Sequence, residues 1–115
     1  MATIYISSTY EDLKHYRRIV HNSLRKSGYH VIAMEDYVAK DERPLEACLK
    51  DIDERADIYV GIFAFRYGYI PPAEHVRECI YTAGQDEWPG LSITELEFRY
   101  AKKIGKPCLI FLVKE

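Results

Sequence analysis

Asp57-Ile58-Tyr59-Val60-Gly61-Ile62-Phe63-Ala64-Phe65 decides the fold. From Ile58 onward every residue is apolar or glycine, without the alternation of a half-exposed strand, so the run predicts a central strand covered on both faces. Double cover needs a layer of helices on each side, which is the arrangement of a parallel sheet. The flanking sequence supplies those helices. Leu45, Cys48, Leu49, Ile52 and Ala56 recur at helical spacing, and Pro44 suits a first helical position, so 44–55 predicts an amphipathic helix. Upstream, Tyr29–Ala33 reads as a strand followed by a polar loop through Arg43, and Thr3–Ser7 as the first strand. Ser8-x-x-Glu11 or Thr9-x-x-Asp12 offers a capping-box start for a helix that runs to Ser27 and stops at Gly28.

Downstream, residues 66–91 form a long connection broken by Pro71, Pro72, Gly84, Pro89 and Gly90, with room for a short helix over Ala73–Tyr81. Ser92-x-x-Glu95 opens a further helix to Ile104, where Gly105 and Pro107 end it, and Cys108–Val113 is a fourth strand. The whole is one α/β domain over 1–115.

Composition narrows the function. The 115 residues are 48% hydrophobic and 30% charged, a globular balance, and 16 Lys and Arg against 18 Asp and Glu leave a net charge of −2. That disfavours nucleic-acid binding by bulk electrostatics. The longest apolar run has eight residues, against the roughly 20 that a membrane span needs. The N-terminus lacks a basic region, an apolar core and a cleavage site, so the expected location is cytoplasmic. Cys48, Cys79 and Cys108 have neither metal-ligand nor disulfide spacing and read as ordinary packed thiols.

On the last helix Ile93, Leu96, Tyr100, Ala101 and Ile104 form one stripe, and Glu97 lies inside it. A carboxylate there must find a partner, reach solvent or line a cavity, and its place near the helix start puts it at the carboxyl end of the sheet, where open α/β folds bind ligands. The bland alternative is a structural carboxylate tied to helix N-termini or an Arg. On the first helix Leu13, Tyr16, Val20 and Leu24 make the stripe; Arg17 intrudes, as an Arg lying along the core edge and pairing with an acid. Ser7, Ser8 and Thr9 follow the first strand, at the edge where ribose or phosphate oxygens would bind. Arg66-Tyr67-Gly68-Tyr69 leaves the third strand at the same edge. Glycine-rich dinucleotide and triphosphate loops do not occur, and none of the four His lies in a nucleophile motif.

Ile4-Tyr5-Ile6-Ser7-Ser8-Thr9-Tyr10-Glu11-Asp12-Leu13, Arg17, Ala56–Ile62, Arg66–Pro71 and Ser92–Phe98 together resemble the DUF4062 family, over nearly the whole chain. That family looks like a divergent branch of TIR-like domains, and the resemblance implies an N-terminal module of a longer signalling protein with NTPase or repeat regions, in immune-type or anti-phage defence. Glu97-x-x-Tyr100-Ala101-x-x-x-Gly105-Lys106-Pro107 is similar to a segment of nucleoside deoxyribosyltransferase-like enzymes. TIR domains that cleave NAD place their glutamate about eight residues before a comparable Gly-Lys, and both likenesses select Glu97 over Glu95.

The expected architecture is therefore flavodoxin-like or TIR-like, with strand order 2-1-3-4, helices on both faces and a switch point between the first and third strands. The expected function is a signalling or effector domain that hydrolyses the N-glycosidic bond of NAD or a related nucleotide. In it Glu97 is catalytic, Ser7, Ser8 and Thr9 hold ribose or phosphate, Arg66 and Gly68 line the site, and Tyr67 or Trp88 stacks on a base. No metal is expected, and NAD would be substrate rather than cofactor. The alternative is a non-catalytic module that self-associates or docks on C-terminal domains in cis, without nucleic acid or membrane. Two structural expectations accompany this: residues 66–91 act as a lid or partner-docking loop with Trp88 at least partly exposed or facing a ligand, and an apolar patch stays open under the third and fourth strands.

Overall fold

The computed structural model describes residues 2–8, 13–33, 44–64 and 70–113. Four strands, β1 (Thr3–Ser8), β2 (His30–Ile32), β3 (Ile58–Phe63) and β4 (Cys108–Leu112), form one sheet in the order β2-β1-β3-β4. All neighbours are parallel, with Tyr5 beside Ile32 and Tyr59, and Tyr59 beside Cys108. The expected flavodoxin-like order is the observed one. The connecting helices are α1 (Lys14–Lys26), α2 (Pro44–Glu54), α3 (Ala73–Glu78) and α4 (Ile93–Lys103), with a 3₁₀ turn at Ile80–Thr82.

Strand alternation splits the core into two layers. Ile4, Ile6, Val31, Val60 and Ile62 face α1 and meet Leu13, Val20 and Leu24. Tyr5, Ile32 and Tyr59 face the opposite way and meet Leu45, Cys48, Leu49 and Ile52 of α2, Val76 of α3, and Leu96, Tyr100 and Ala101 of α4. One helix on one face and three on the other is what right-handed crossovers produce in this strand order.

The helix ends agree with their punctuation in three cases and depart in one. Gly28 and Gly105 follow α1 and α4 with φ of +92° and +80°, a region that glycine enters without steric cost. The Ser92 hydroxyl caps α4 by accepting from the Glu95 N–H at 3.1 Å. The start of α1, however, is not set by Ser8: the helix begins at Lys14 behind Leu13, and Ser8 belongs to β1. A residue held in the strand ladder cannot also be the cap of a helix six residues on. Thr9 and the rest of 9–12 lie outside the described residues. Tyr16, expected in the buried stripe, is half exposed, because α1 covers only the narrow sheet margin that ends in the three-residue β2.

The long connection is scaffold over its described part, 70–91, rather than the expected lid or docking loop. Beyond α3, backbone N–H groups of Thr82, Gln85, Trp88 and Leu91 each donate to the carbonyl three residues earlier, so the chain advances by successive tight turns. The Thr82 hydroxyl ties it further by donating to the carbonyls of Val76 and Cys79. Val76, Cys79 and Trp88 thereby enter the main core, and Trp88 is only 6% exposed. The expectation of an exposed Trp88 fails because the turns aim its ring inward, where the Lys103 ammonium lies 5.9 Å from the ring centroid.

The open apolar patch is real but smaller than expected. β3 is covered on both faces, whereas Leu109, Ile110, Phe111 and Leu112 of the edge strand β4 are exposed, Leu112 by 75%. Among the described residues, no helix is long and apolar enough to cross a membrane.

These contrasts predict that Leu49→Ala, at a fully buried position, lowers unfolding free energy by about 2–5 kcal/mol. Leu112→Ala should change it by less than about 0.5 kcal/mol. Urea titration followed by Trp88 fluorescence measures both, and comparable losses would mean that β4 is covered.

Candidate functional site

Glu97 lies in the second turn of α4, inside the helix's apolar stripe, and is 3% exposed. Parallel pairing carries β1 beneath that turn, and alternation along β1 sends Tyr5 and Ser7 to the same face. Their hydroxyls meet the carboxylate: Ser7 Oγ donates to Glu97 Oε1 at 2.8 Å, and Tyr5 Oη donates to Oε2. Each carboxylate oxygen thus has a donor in an otherwise apolar layer, which is the condition for keeping such a group buried. The Cys48 thiol of α2 completes the ring of contacts; burial and then the Glu97 charge push it well up, so it is held as an unreactive thiol.

Burial also holds the Glu97 carboxyl above its ordinary value. The hydrogen bonds from Tyr5 and Ser7, and the positive charge of Arg17, offset part of that rise. A carboxyl so placed can gain or lose a proton nearer neutral pH than a surface one, a property that functional carboxylates share.

Tyr59 stands beside this group on β3. Its ring stacks on Tyr5 with centroids 6.3 Å apart and planes 12° from parallel, and it meets Phe98 of α4 at 6.1 Å. The Tyr59 hydroxyl is fully buried and has no hydrogen-bond partner among the described residues. Burial first, and then the Glu97 charge, hold that phenol well above its usual range; Ser7 moderates this but is not in hydrogen-bonding geometry with it. Next to Ser7, Gly61 leaves the space that the Phe63 ring occupies: a Cβ there would lie 2.7 Å from Phe63 Cζ.

The sequence-predicted residues divide accordingly. Ser7 and Glu97 are in contact. Ser8, expected to act with Ser7, faces the other way, under α1, where its hydroxyl accepts from the buried Arg17 guanidinium. The strand's period of two makes this unavoidable. Trp88 is in the core, sealed by its neighbours rather than presented to a base. Thr9, Arg66, Tyr67 and Gly68 lie outside the described residues. Sequence reasoning missed Tyr5, Cys48 and Tyr59. A signal existed for the first: Tyr5 and Ser7 are two apart on a buried strand, and a buried tyrosine hydroxyl calls for a partner.

A parallel 2-1-3-4 sheet covered by helices on both faces, with a buried acid at the carboxyl edge of its central strands, places the chain in the flavodoxin-like class of α/β domains. Over residues 3–115 it matches the domain of unknown function DUF4062, and it belongs to that family. Among curated proteins it is similar to telomerase protein component 1 of Mus musculus, with 30% identity over 109 residues. The Rattus norvegicus protein of the same name is 28% identical over 109 residues. Both matches cover 82% of this chain and 4% of the relative, so the domain spans a small fraction of those proteins' length.

The site predicts a pH signature. A carboxyl whose folded pKa is raised contributes stability that is fully present below its unfolded pKa and is lost as pH rises through the folded one. Glu97→Gln removes that loss, and its amide can still exchange hydrogen bonds with two hydroxyls. Chemical denaturation across pH should show the variant gaining on the wild type as pH rises and levelling above the raised pKa; a constant difference at every pH would contradict the assignment. Tyr59→Phe should leave stability unchanged or raise it by up to about 1 kcal/mol, because the lost hydroxyl has no partner to abandon among the described residues. A marked drop in melting temperature would show that the hydroxyl is bonded.

Proposed function

We propose that this domain is a TIR-like signalling or effector module that cleaves the N-glycosidic bond of NAD or a related nucleotide, with Glu97 at the reacting centre. The observation that carries this reading is the Glu97 carboxylate, buried at the carboxyl edge of β1 and β3 and held by the hydroxyls of Tyr5 and Ser7. In NAD hydrolysis the bond between ribose C1′ and the nicotinamide nitrogen breaks and the departing ring keeps the bonding pair. C1′ gains oxocarbenium character; water then adds there and releases a proton. A fixed negative charge in a site of low dielectric stabilises the developing positive charge far better than water does. Tyr5 and Ser7 orient the carboxylate, so a hydroxyl pair that keeps it buried also aims it. Arg66, Tyr67, Gly68 and Thr9 are the candidates for holding the nucleotide, and the match to a small part of much longer relatives supports a role within a larger protein.

A second reading, a non-catalytic association module, is favoured by a separate observation, the exposed apolar surface of β4. Its partner would be another copy or C-terminal domains in cis.

The test is incubation of the protein with NAD and a panel of nucleotides, with released base resolved by chromatography. Glu97→Gln should lower turnover by about 100-fold or more while the fold persists. Glu95→Gln should leave turnover largely intact, because Glu95 forms a surface pair with Arg99 at 2.7 Å. The working form is the carboxylate, so turnover should fall as pH drops through the raised Glu97 pKa. Equal losses from both variants would overturn the choice of Glu97. Association without any released base would favour the second reading.

A further inference from the structure

The row of the sheet beneath Glu97 is built from small residues. Ser7, which bonds the carboxylate, pairs in register with Gly61, and both follow Tyr5 and Tyr59 by two residues, on the face that α4 covers. Every other residue of β3 is β-branched or aromatic, so Gly61 leaves a notch in the middle of the sheet. Phe63, two residues on, folds back to fill it: the far edge of its ring, at Cζ, lies 2.7 Å from where a Gly61 Cβ would stand. Phe63 is half-buried at the carboxyl end of β3, and its ring meets Phe98 edge-on at 5.8 Å. Rotation about one side-chain bond would carry that ring out to solvent without moving the backbone.

Tyr59 supplies a polar group beside the notch. Tyr5 and Tyr59 are register neighbours whose ring planes lie within 12° of parallel, so the two phenols run side by side and their hydroxyls end at a similar height over the sheet. The Tyr5 hydroxyl takes one oxygen of Glu97. The Tyr59 hydroxyl, fully buried next to it, has no partner among the described residues. A phenol buried without a partner is unfavourable, and phenylalanine would fill the same space without that cost. Packing therefore does not account for a hydroxyl at this point, whereas a ligand's own hydroxyl, brought into the notch, would satisfy it.

We propose that the notch over Gly61 is a ribosyl subsite, plugged in this structure by the Phe63 ring, in which the Tyr59 hydroxyl bonds the sugar 2′-hydroxyl while Glu97 faces the neighbouring C1′. A five-membered sugar ring is no broader than the phenyl ring it displaces, so the space that Phe63 vacates admits it. C2′ is bonded to C1′, so its hydroxyl is the sugar hydroxyl nearest to a carbon held at Glu97, and Tyr59 is the phenol one strand over from the one that holds the acid. Two rings, Tyr5 and Phe98, brace Tyr59 and fix where its hydroxyl points. The inference rests on the Glu97 reading and adds to it a preference for ribosyl over 2′-deoxyribosyl groups and a side chain that must move before the sugar enters.

Calorimetric titration with ADP-ribose, which keeps the ribosyl group but has no base to lose, and with its analogue lacking the 2′-hydroxyl of the terminal ribose tests this. Each variant is first checked for folding by circular dichroism. Phe63→Ala removes the plug and should bind ADP-ribose about 5–10-fold more tightly than the wild type. Tyr59→Phe should bind ADP-ribose at least about 10-fold more weakly and the 2′-deoxy analogue as the wild type does. Gly61→Ala/Phe63→Ala, whose new Cβ enters the notch and meets only the flexible end of Ile110, should lose the tightening gained by Phe63→Ala. Equal weakening of both ligands by Tyr59→Phe, no tightening in Phe63→Ala, retained tightening in the double variant, or no binding by any of these proteins would each overturn the subsite. The NAD turnover assay separates the two readings. Base release undisturbed in Tyr59→Phe would leave Glu97 in place and overturn the subsite, whereas binding that depends on the 2′-hydroxyl, without released base, would keep the subsite and remove the catalytic reading.

Discussion

One carboxylate constrains how the two halves of the domain meet. Glu97 sits where its helix must bury an apolar stripe, and an unpaired charge there would cost several kcal/mol. The cost is offset because β1 brings two hydroxyls to that point, from Tyr5 and Ser7, on the single strand face that α4 covers. The angle and height of α4 over the sheet are thereby tied to the register of β1, which in turn pairs with both β2 and β3. Moving β1 by one residue would turn both hydroxyls to the α1 face and leave the carboxylate without donors.

The same alternation explains why Ser7 and Ser8, adjacent in sequence, have different companions. Ser7 joins the acid, and Ser8 joins the Arg17 guanidinium on the far side of the sheet. The two buried charges face each other across β1, and the positive one draws the Glu97 carboxyl part of the way back toward its ordinary value. A polar seam thus crosses an apolar sheet near its carboxyl edge, where doubly wound folds place their ligands.

Most of the architecture was legible because it rests on local patterns. The continuous apolar run Ile58–Phe65 marked the central strand, helical spacing marked α2 and α4, and the odd carboxylate at position 97 stood out against its stripe. What was illegible depends on distance in sequence. Glu97 and Tyr5 are 92 residues apart, and no local rule pairs them. Trp88 looked exposed because prolines and glycines surround it, yet successive three-residue turns need those residues as much as a mobile loop does. Ser8 looked like a cap because its spacing to Glu11 fits a capping box, and the strand ladder claimed it first. Legibility of the site was partial for the same reason: the acid is visible from its helix alone, and its hydroxyl partners only from the sheet.

Glu97 is a buried carboxyl whose ionisation is resisted by its surroundings and eased by Tyr5 and Ser7. The most direct measurement is a titration of the Glu97 side-chain carboxyl carbon by nuclear magnetic resonance, in the wild type and in Ser7→Ala. The wild-type midpoint should lie above that of the exposed glutamates, and loss of the Ser7 donor should raise it further. A midpoint in the ordinary carboxylate range, unmoved by the Ser7 substitution, would contradict the account.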